Sequence, residues 1–301
     1  MAARPSCATG SSSARPSDPL PQGGPLTTVE VRPAREDELR PAIRALSEAG
    51  FGPHVGRLIS WPWEQTAGCL LVATGRMRRI VGGACCASFG DTGWIGALGV
   101  LPRARGRGAG TALTEACVAW LRDRGATTVL LHATDAGRPV YERLGFEAEG
   151  RSRAWRGGPQ HTLKPAGLRP LRAEDRAALR ALDQAVTGER RDPVLEAISP
   201  LTGLAADGDG GLRGYLLASP WGAGPAVVAS DERAGLDLLS AARGATQGPA
   251  ILTLPDDNTA GVAALEGWGF RAVNHAERMR LGPEVPWRPD GLFGMYNLFW
   301  G

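Results

Sequence analysis

The chain has 301 residues, 43% of them hydrophobic and 22% charged, with a formal net charge of +3. That length exceeds what one hydrophobic core usually serves, so two domains are expected. The charge is too slight for a nucleic-acid binder, and no apolar run approaches the ~20 residues that cross a bilayer, so nucleic acid and membrane are excluded as partners.

Residues 1–26 are rich in Ser, Pro and Gly and nearly free of large apolar side chains. Such a segment cannot offset its ordering entropy by burial, so a disordered leader is expected, and it lacks the apolar core of a secretory signal. From Thr28 the pattern becomes regular. TVEVRPA alternates as a strand does, and EDELRPAIRALSEAG follows with helical spacing at Leu39, Ile43 and Leu46. Cys69–Met77 and Arg79–Phe89 read as strands joined by a basic turn, and Thr92–Leu101 as a third. Leu113, Cys117, Trp120 and Leu121 then recur at i, i+4, i+7 and i+8, which predicts a helix with one buried stripe. TTVLLHAT reads as a strand and GRPVYERLGF as a short helix closing on Gly145. Strands, helix, strand and helix in this order make a mixed α/β domain.

Arg156–Gly167 is polar and punctuated by Pro and Gly, as linkers are. Beyond it the opening is echoed: VRPAREDELRPAIRAL near residue 31 by LRPLRAEDRAALRAL near residue 168, and YERLGF by LEGWGF at 265–270. Two copies of one fold account for the length. The expected organisation is a leader at 1–26, a first domain at 27–155, a linker at 156–167 and a second domain at 168–301. Five cysteines without a CxxC pair point to reduced thiols and a cytoplasmic setting, with Cys85 and Cys86 on opposite faces of one strand. Four scattered histidines give no metal site.

The stretch GVLPRARGRGAGTAL, Gly99 to Leu113, carries the chemistry. At a helix N-terminus the first N–H groups lack partners, glycines let an anion approach them, and arginines add charge-assisted hydrogen bonds. The ligand is therefore a phosphate, best a diphosphate. No Lys-Ser/Thr pair follows the last glycine as in a Walker loop, and Gly106, Gly108 and Gly110 do not fit G-x-G-x-x-G. The loop resembles instead the acetyl-CoA pyrophosphate loop of the GCN5-related N-acetyltransferases (GNAT), with signature Q/R-x-x-G-x-G/A. Arg103-x-x-Gly106-x-Gly108 and Arg105-x-x-Gly108-x-Gly110 both satisfy it; the second puts Thr111-Ala112-Leu113 at the helix start, as that family does.

That resemblance runs through LGVLP, the loop, the long helix, VLLHAT and VYERLGF. It implies a mixed α/β fold: two tandem GNAT units, each a twisted, mostly antiparallel sheet flanked by helices, with a splayed strand pair for the cofactor. The backbone of Leu98, Gly99 and Val100 would pair with the pantetheine arm of acetyl-CoA. Arg105, Gly106, Arg107, Gly108, Ala109, Gly110 and Thr111 would hold the pyrophosphate, and Arg103 either an outer phosphate or water. Tyr141 stands where the family carries a general acid for the departing thiolate, or else packs its helix. His132 is a candidate base, or else a packed strand residue; Glu64, His54 and Asp91 border the same region. The cluster WPWE at 61–64 lines a pocket or caps the core.

The second half keeps the apolar frame and loses the chemistry. ASDERAGLDLL stands at the strand-to-helix junction, and Leu265 fills the tyrosine position. The expectation is an N-acetyltransferase acting on a small-molecule amine, with a degenerate second unit; the alternative is a non-catalytic acyl-CoA-binding scaffold. Mycothiol synthase is also a tandem acetyltransferase of similar length, but its working loop lies in the second half, which weighs against it. Oligomeric state, a homodimer included, is open.

Overall fold

In a computed structural model, residues 29–158, 167–244 and 250–300 are described. The expected leader, most of the linker and Cys7 lie outside them. The first half runs β1 (Glu30–Pro33), α1 (Leu39–Leu46), α2 (Val55–Leu58), α3 (Ser60–Glu64), β2 (Gly68–Thr74), β3 (Ile80–Phe89), β4 (Thr92–Val100), α4 (Ala109–Arg122), β5 (Thr128–Ala133), α5 (Arg138–Arg143) and β6 (Glu147–Gly157). The second runs β7 (Leu168–Pro170), α6 (Arg176–Thr187), α7 (Asp192–Ala197), β8 (Gly203–Gly208), β9 (Gly211–Leu217), β10 (Ala226–Ala229), α8 (Glu232–Arg243), β11 (Ala250–Pro255), α9 (Thr259–Gly267), β12 (Arg271–Leu281) and β13 (Leu292–Gly294).

The repeat is visible in its contacts. Arg32 makes a two-pronged ion pair with Glu38 at 2.7 Å, and Glu38 also accepts the Arg35 amide. Six residues apart again, Arg169 pairs with Asp175, which accepts the Arg172 amide. In both halves a carboxylate thereby ties the first strand to the start of the first helix. The closing elements match as well. Phe146 N–H donates to the Tyr141 carbonyl and Gly145 N–H to that of Glu142; Phe270 and Gly269 do the same to Leu265 and Glu266. These are Schellman caps, and each needs the glycine, at φ +86 for Gly145 and +78 for Gly269. The cap fixes Tyr141 and Leu265 in one equivalent position.

Two sheets form, of order β1-β2-β3-β4-β5-β12-β6-β11 and β13-β10-β9-β8-β7. The halves exchange their last strands: β12 lies between β5 and β6, and β6 between β12 and β11, all antiparallel. The strand assigned to the first domain thus serves the second half, and the reverse.

On β3, Cys86 faces the core under α4 with Leu113, Cys117, Trp120 and Leu121, while Cys85 faces the core under α1 with Leu46 and Val72. The two cysteines lie on opposite faces, and the stripe on α4 is buried, as the periodicity indicates. Trp61 is fully buried in the core that joins the halves, against Phe89, Trp221 and Trp300. Of the two readings of WPWE, its first tryptophan takes the core one. The same joint holds a buried ion pair, Asp183 with Arg191 at 2.6 Å, and Glu189 of the second half accepts the Trp94 indole N–H at 2.7 Å. Among the described residues no helix is long and apolar enough to cross a membrane.

Candidate active site

The parallel pairing of β4 with β5 covers only Thr92–Ile95 against Thr128–Leu131, although β4 continues to Val100. The cause lies in β4 itself. Gly83 pairs with Gly99 and Cys85 with Gly96, so β4 carries one extra residue, and Ala97 within it has φ 47. A bulge of this kind bends a strand away from its neighbour. Leu98, Gly99 and Val100 therefore line a gap on the β5 side, where the family pattern puts the pantetheine arm. Gly99 is needed for a second reason: a Cβ there would meet Ala49 and Phe51 at 2.9 Å.

After a single turn at Pro102–Ala104 the chain enters the glycine-arginine loop. Gly106 has φ 72, and Gly108, at the N-cap of α4, has φ 81. Among the described residues the amides of Gly106 through Thr111 donate to no protein acceptor; the first to do so is Ala112, to the Gly108 carbonyl. A Cβ on Gly106, Gly108 or Gly110 would meet nothing within 4 Å. Six free donors under open space, at the positive end of a fourteen-residue helix, form a cradle for phosphate. The residues fit the pyrophosphate of acetyl-CoA. The backbone also separates the two frames. Gly110 lies inside α4 without positive φ, where alanine is at ease, whereas Gly108 is left-handed, so the Gly/Ala position of the signature suits Gly110.

The arginines divide their work. Arg105 turns its guanidinium to the Val100 carbonyl at 3.0 Å and the Ala49 carbonyl at 2.8 Å, so its side chain holds the loop against β4 and α1. Arg103 is exposed and reaches Glu48 at 3.5 Å. Arg107 is exposed beside the free amides.

Tyr141 projects from α5 into the core under α4, edge-on to Phe146 at 5.8 Å, with 7% of its surface exposed. Burial pushes its phenol well above the ordinary value, so it carries its proton at neutral pH. A neutral phenol is a donor, which suits an acid and not a base.

His132 requires a correction. Its ring stacks on Trp94 at 5.1 Å and is shut away from solvent against the Leu298 backbone. Burial, helped by the Arg278 guanidinium opposite, lowers its pKa to about 3. Such an imidazole holds an incoming proton poorly, so burial and stacking favour the packed reading of His132 over the base. Among the described residues no group of His, Cys, Asp and Glu has a metal-holding arrangement.

In the second half the corresponding gap is closed. β10 pairs with β13, and the Met295 amide donates to the Thr253 carbonyl on β11, so the chain's own terminal segment fills the space between β10 and β11. The start of α8 is capped by Asp231, which accepts the Ala234 amide and pairs with Arg213 at 2.6 Å. A carboxylate already holds one of the donors that a phosphate would need. Sequence reading missed the plug, because β13 is three residues of an irregular ending.

A bulged strand splayed from its neighbour, leading to an open amide loop on a helix, defines a coenzyme A-type acyltransferase fold. The chain belongs to the GNAT family, as two units in tandem: the acetyltransferase (GNAT) family model matches residues 36–146 and an acetyltransferase (GNAT) domain model matches 179–294. A mycothiol acetyltransferase of Salinispora arenicola is 36% identical over 147 residues, 44% of this chain and 47% of that protein. The uncharacterised N-acetyltransferase YitH of Bacillus subtilis is 29% identical over 203 residues, 63% of this chain and 70% of that protein. The matches to mycothiol acetyltransferases of Salinispora arenicola and Thermobispora bispora span about half of those proteins' length. Among solved structures, a Pyrococcus horikoshii protein shares the fold with TM-score 0.78 at 21% identity, over 91% of this chain and 96% of that one. A tandem GNAT protein from the clavulanic acid biosynthesis pathway does so with TM-score 0.57 at 16% identity, over 85% and 100%.

Proposed function

We propose that the chain is an acetyl-CoA-dependent N-acetyltransferase with one working site, in the first half, that transfers acetyl directly to a primary amine of a small molecule. The observation that carries this reading is the run of unpaired amides from Gly106 to Thr111 beside the β4 splay. Acetyl-CoA supplies the activated thioester. The loop amides bind its phosphates and the backbone of Leu98–Val100 orients its arm; as the new C–N bond replaces the C–S bond, Tyr141 hands a proton to the departing sulfur and the amine sheds one to water, with no net proton change. The plugged, acid-capped second half serves as a frame, and the working unit is residues 27–155 completed by β12. The mycothiol acetyltransferase relatives support a small acceptor. The intact loop in the first half sets this chain apart from a protein whose working loop lies in the second.

Calorimetric titration of acetyl-CoA into the intact chain tests this. One site per chain, lost in Gly108→Glu, is the expected result. Absence of binding at millimolar acetyl-CoA would leave the loop a basic turn on a scaffold and overturn the reading.

A further inference from the structure

Tyr141 and the loop helix lie on one face of β4, in the core with Cys86 and Ile95. With that face given to the cofactor, a second reactant must approach from the other, where Cys85 and Ala97 pack under α1. The residues standing there come partly from the far end of the chain. A Cβ on Gly96, one residue past the last β4–β5 pair, would lie 2.3 Å from the Phe299 carbonyl oxygen and 2.6 Å from its Cβ. The terminal segment thus rests directly on β4 where the gap begins.

That segment is anchored on both sides of Phe299. Trp300 is 1% exposed, donates its indole N–H to the Leu58 carbonyl at 3.2 Å and packs on Trp61 and Tyr296. Asn297 Oδ1 accepts the Phe299 amide at 2.8 Å and the Trp300 amide at 3.2 Å, which leaves its Nδ2 buried without a partner. Between these anchors Phe299 is only half-buried and meets Phe51, also half-buried, edge to face at 5.3 Å and 88°. The His132 ring lies beside the Leu298 backbone. Held aromatic edges at a gap, with the unpaired Asn297 amide behind them, have the composition of a small-molecule site.

We infer that Phe299 of the second half and Phe51 of the first form the acceptor-side wall of the cleft and select an amine that carries an apolar or aromatic substituent. The inference rests on the acetyl-transfer reading above and deepens it. Two rings meeting edge to face present a surface that a third ring or an alkyl group extends, and that a polyhydroxylated amine would have to desolvate to reach. The second half therefore contributes to specificity although its own cleft is plugged.

The test uses the full chain with phenethylamine and ethanolamine as probes. Thiol release from acetyl-CoA reads turnover, and calorimetry of phenethylamine on the free and coenzyme A-saturated protein reads binding. The expected result is a kcat/KM for phenethylamine about tenfold or more above that for ethanolamine. Phe299→Ala should abolish that preference through KM for the amine, with acetyl-CoA affinity unchanged, and Phe51→Ala should act in the same direction. Equal use of both amines, or a preference that survives in both variants, overturns the wall. If acetyl-CoA binds and phenethylamine neither binds nor reacts, the wall falls, and acetyl transfer stands where ethanolamine still releases thiol. If acetyl-CoA does not bind, the acetyltransferase reading falls. Phenethylamine binding to the free protein then decides the wall, supported if Phe299→Ala loses it and overturned if there is none to lose.

Discussion

Alanine at Gly108 and at Gly110 should have opposite consequences, although the two residues are neighbours in one loop. Gly108 sits at φ 81, and nothing lies within 4 Å of an added Cβ, so the cost of alanine is backbone strain alone. A left-handed conformation costs an L-residue about 1–2 kcal/mol. Relief of that strain would rotate the peptide planes on either side and turn the Gly108 and Ala109 amides from their common target. Each charge-assisted hydrogen bond lost is worth about 1.5–3 kcal/mol, or roughly 10- to 150-fold in acetyl-CoA affinity. Gly110 is helical and equally open, so alanine there should stabilise the fold by up to ~1 kcal/mol and leave affinity intact. Urea unfolding and calorimetry on the same preparations give both quantities. Were Gly108→Ala to lose stability yet bind acetyl-CoA as the parent does, the amides would not be the phosphate site. Were Gly110→Ala the variant that failed to bind, Gly110 would not occupy the Gly/Ala position and the frame beginning at Arg105 would fall.

Tyr141→Phe should lower kcat by about a hundredfold with acetyl-CoA affinity unchanged, measured by thiol release; an unaltered kcat would reduce the hydroxyl to packing. Glu38, held at about 2 by Arg32 and the Arg35 amide, binds its proton less readily folded than unfolded. Its contribution to stability is therefore complete above the ordinary carboxylate value of 4.5 and is lost as pH falls towards about 2, so Glu38→Gln should flatten the acid limb of urea midpoints across that window. Asp183→Ala leaves Arg191, 4% exposed, without its partner and should cost about 3–5 kcal/mol in chemical denaturation. A loss too small to resolve would mean that water or Glu189 compensates the guanidinium.

What the sequence discloses is local. The buried stripe on α4, the opposed Cys85 and Cys86, and the strands flanking Thr92 all follow from periodicity, which is fixed within a few residues. The echo between Arg32–Glu38 and Arg169–Asp175 is legible because one ion pair at one spacing does one task twice. The closing glycines are legible because only glycine suits a left-handed cap. What stays hidden depends on residues far apart. β6 and β12 simply follow the closing helices, and no period in either says that its neighbours belong to the other half. Phe299 meets Gly96 across some two hundred positions, and the sequence marks the spot only by a missing side chain. The packing of His132 is hidden for the same reason: Trp94, which stacks on it, and Arg278, which helps burial lower its pKa, lie on other strands.

The strand exchange makes the two copies a single inheritance. A chain cut between β6 and β7 yields a first piece that has lent out its closing strand and lacks the one it borrowed. The remedy available to such a piece is another molecule like itself, each donating β6 to its twin, so that a homodimer restores by symmetry what the duplicated gene achieves in one chain. The second half has Leu265 at the tyrosine position and a filled cleft, yet it cannot be dispensed with, because deleting it would take β11 and β12 out of the sheet that carries the glycine-arginine loop.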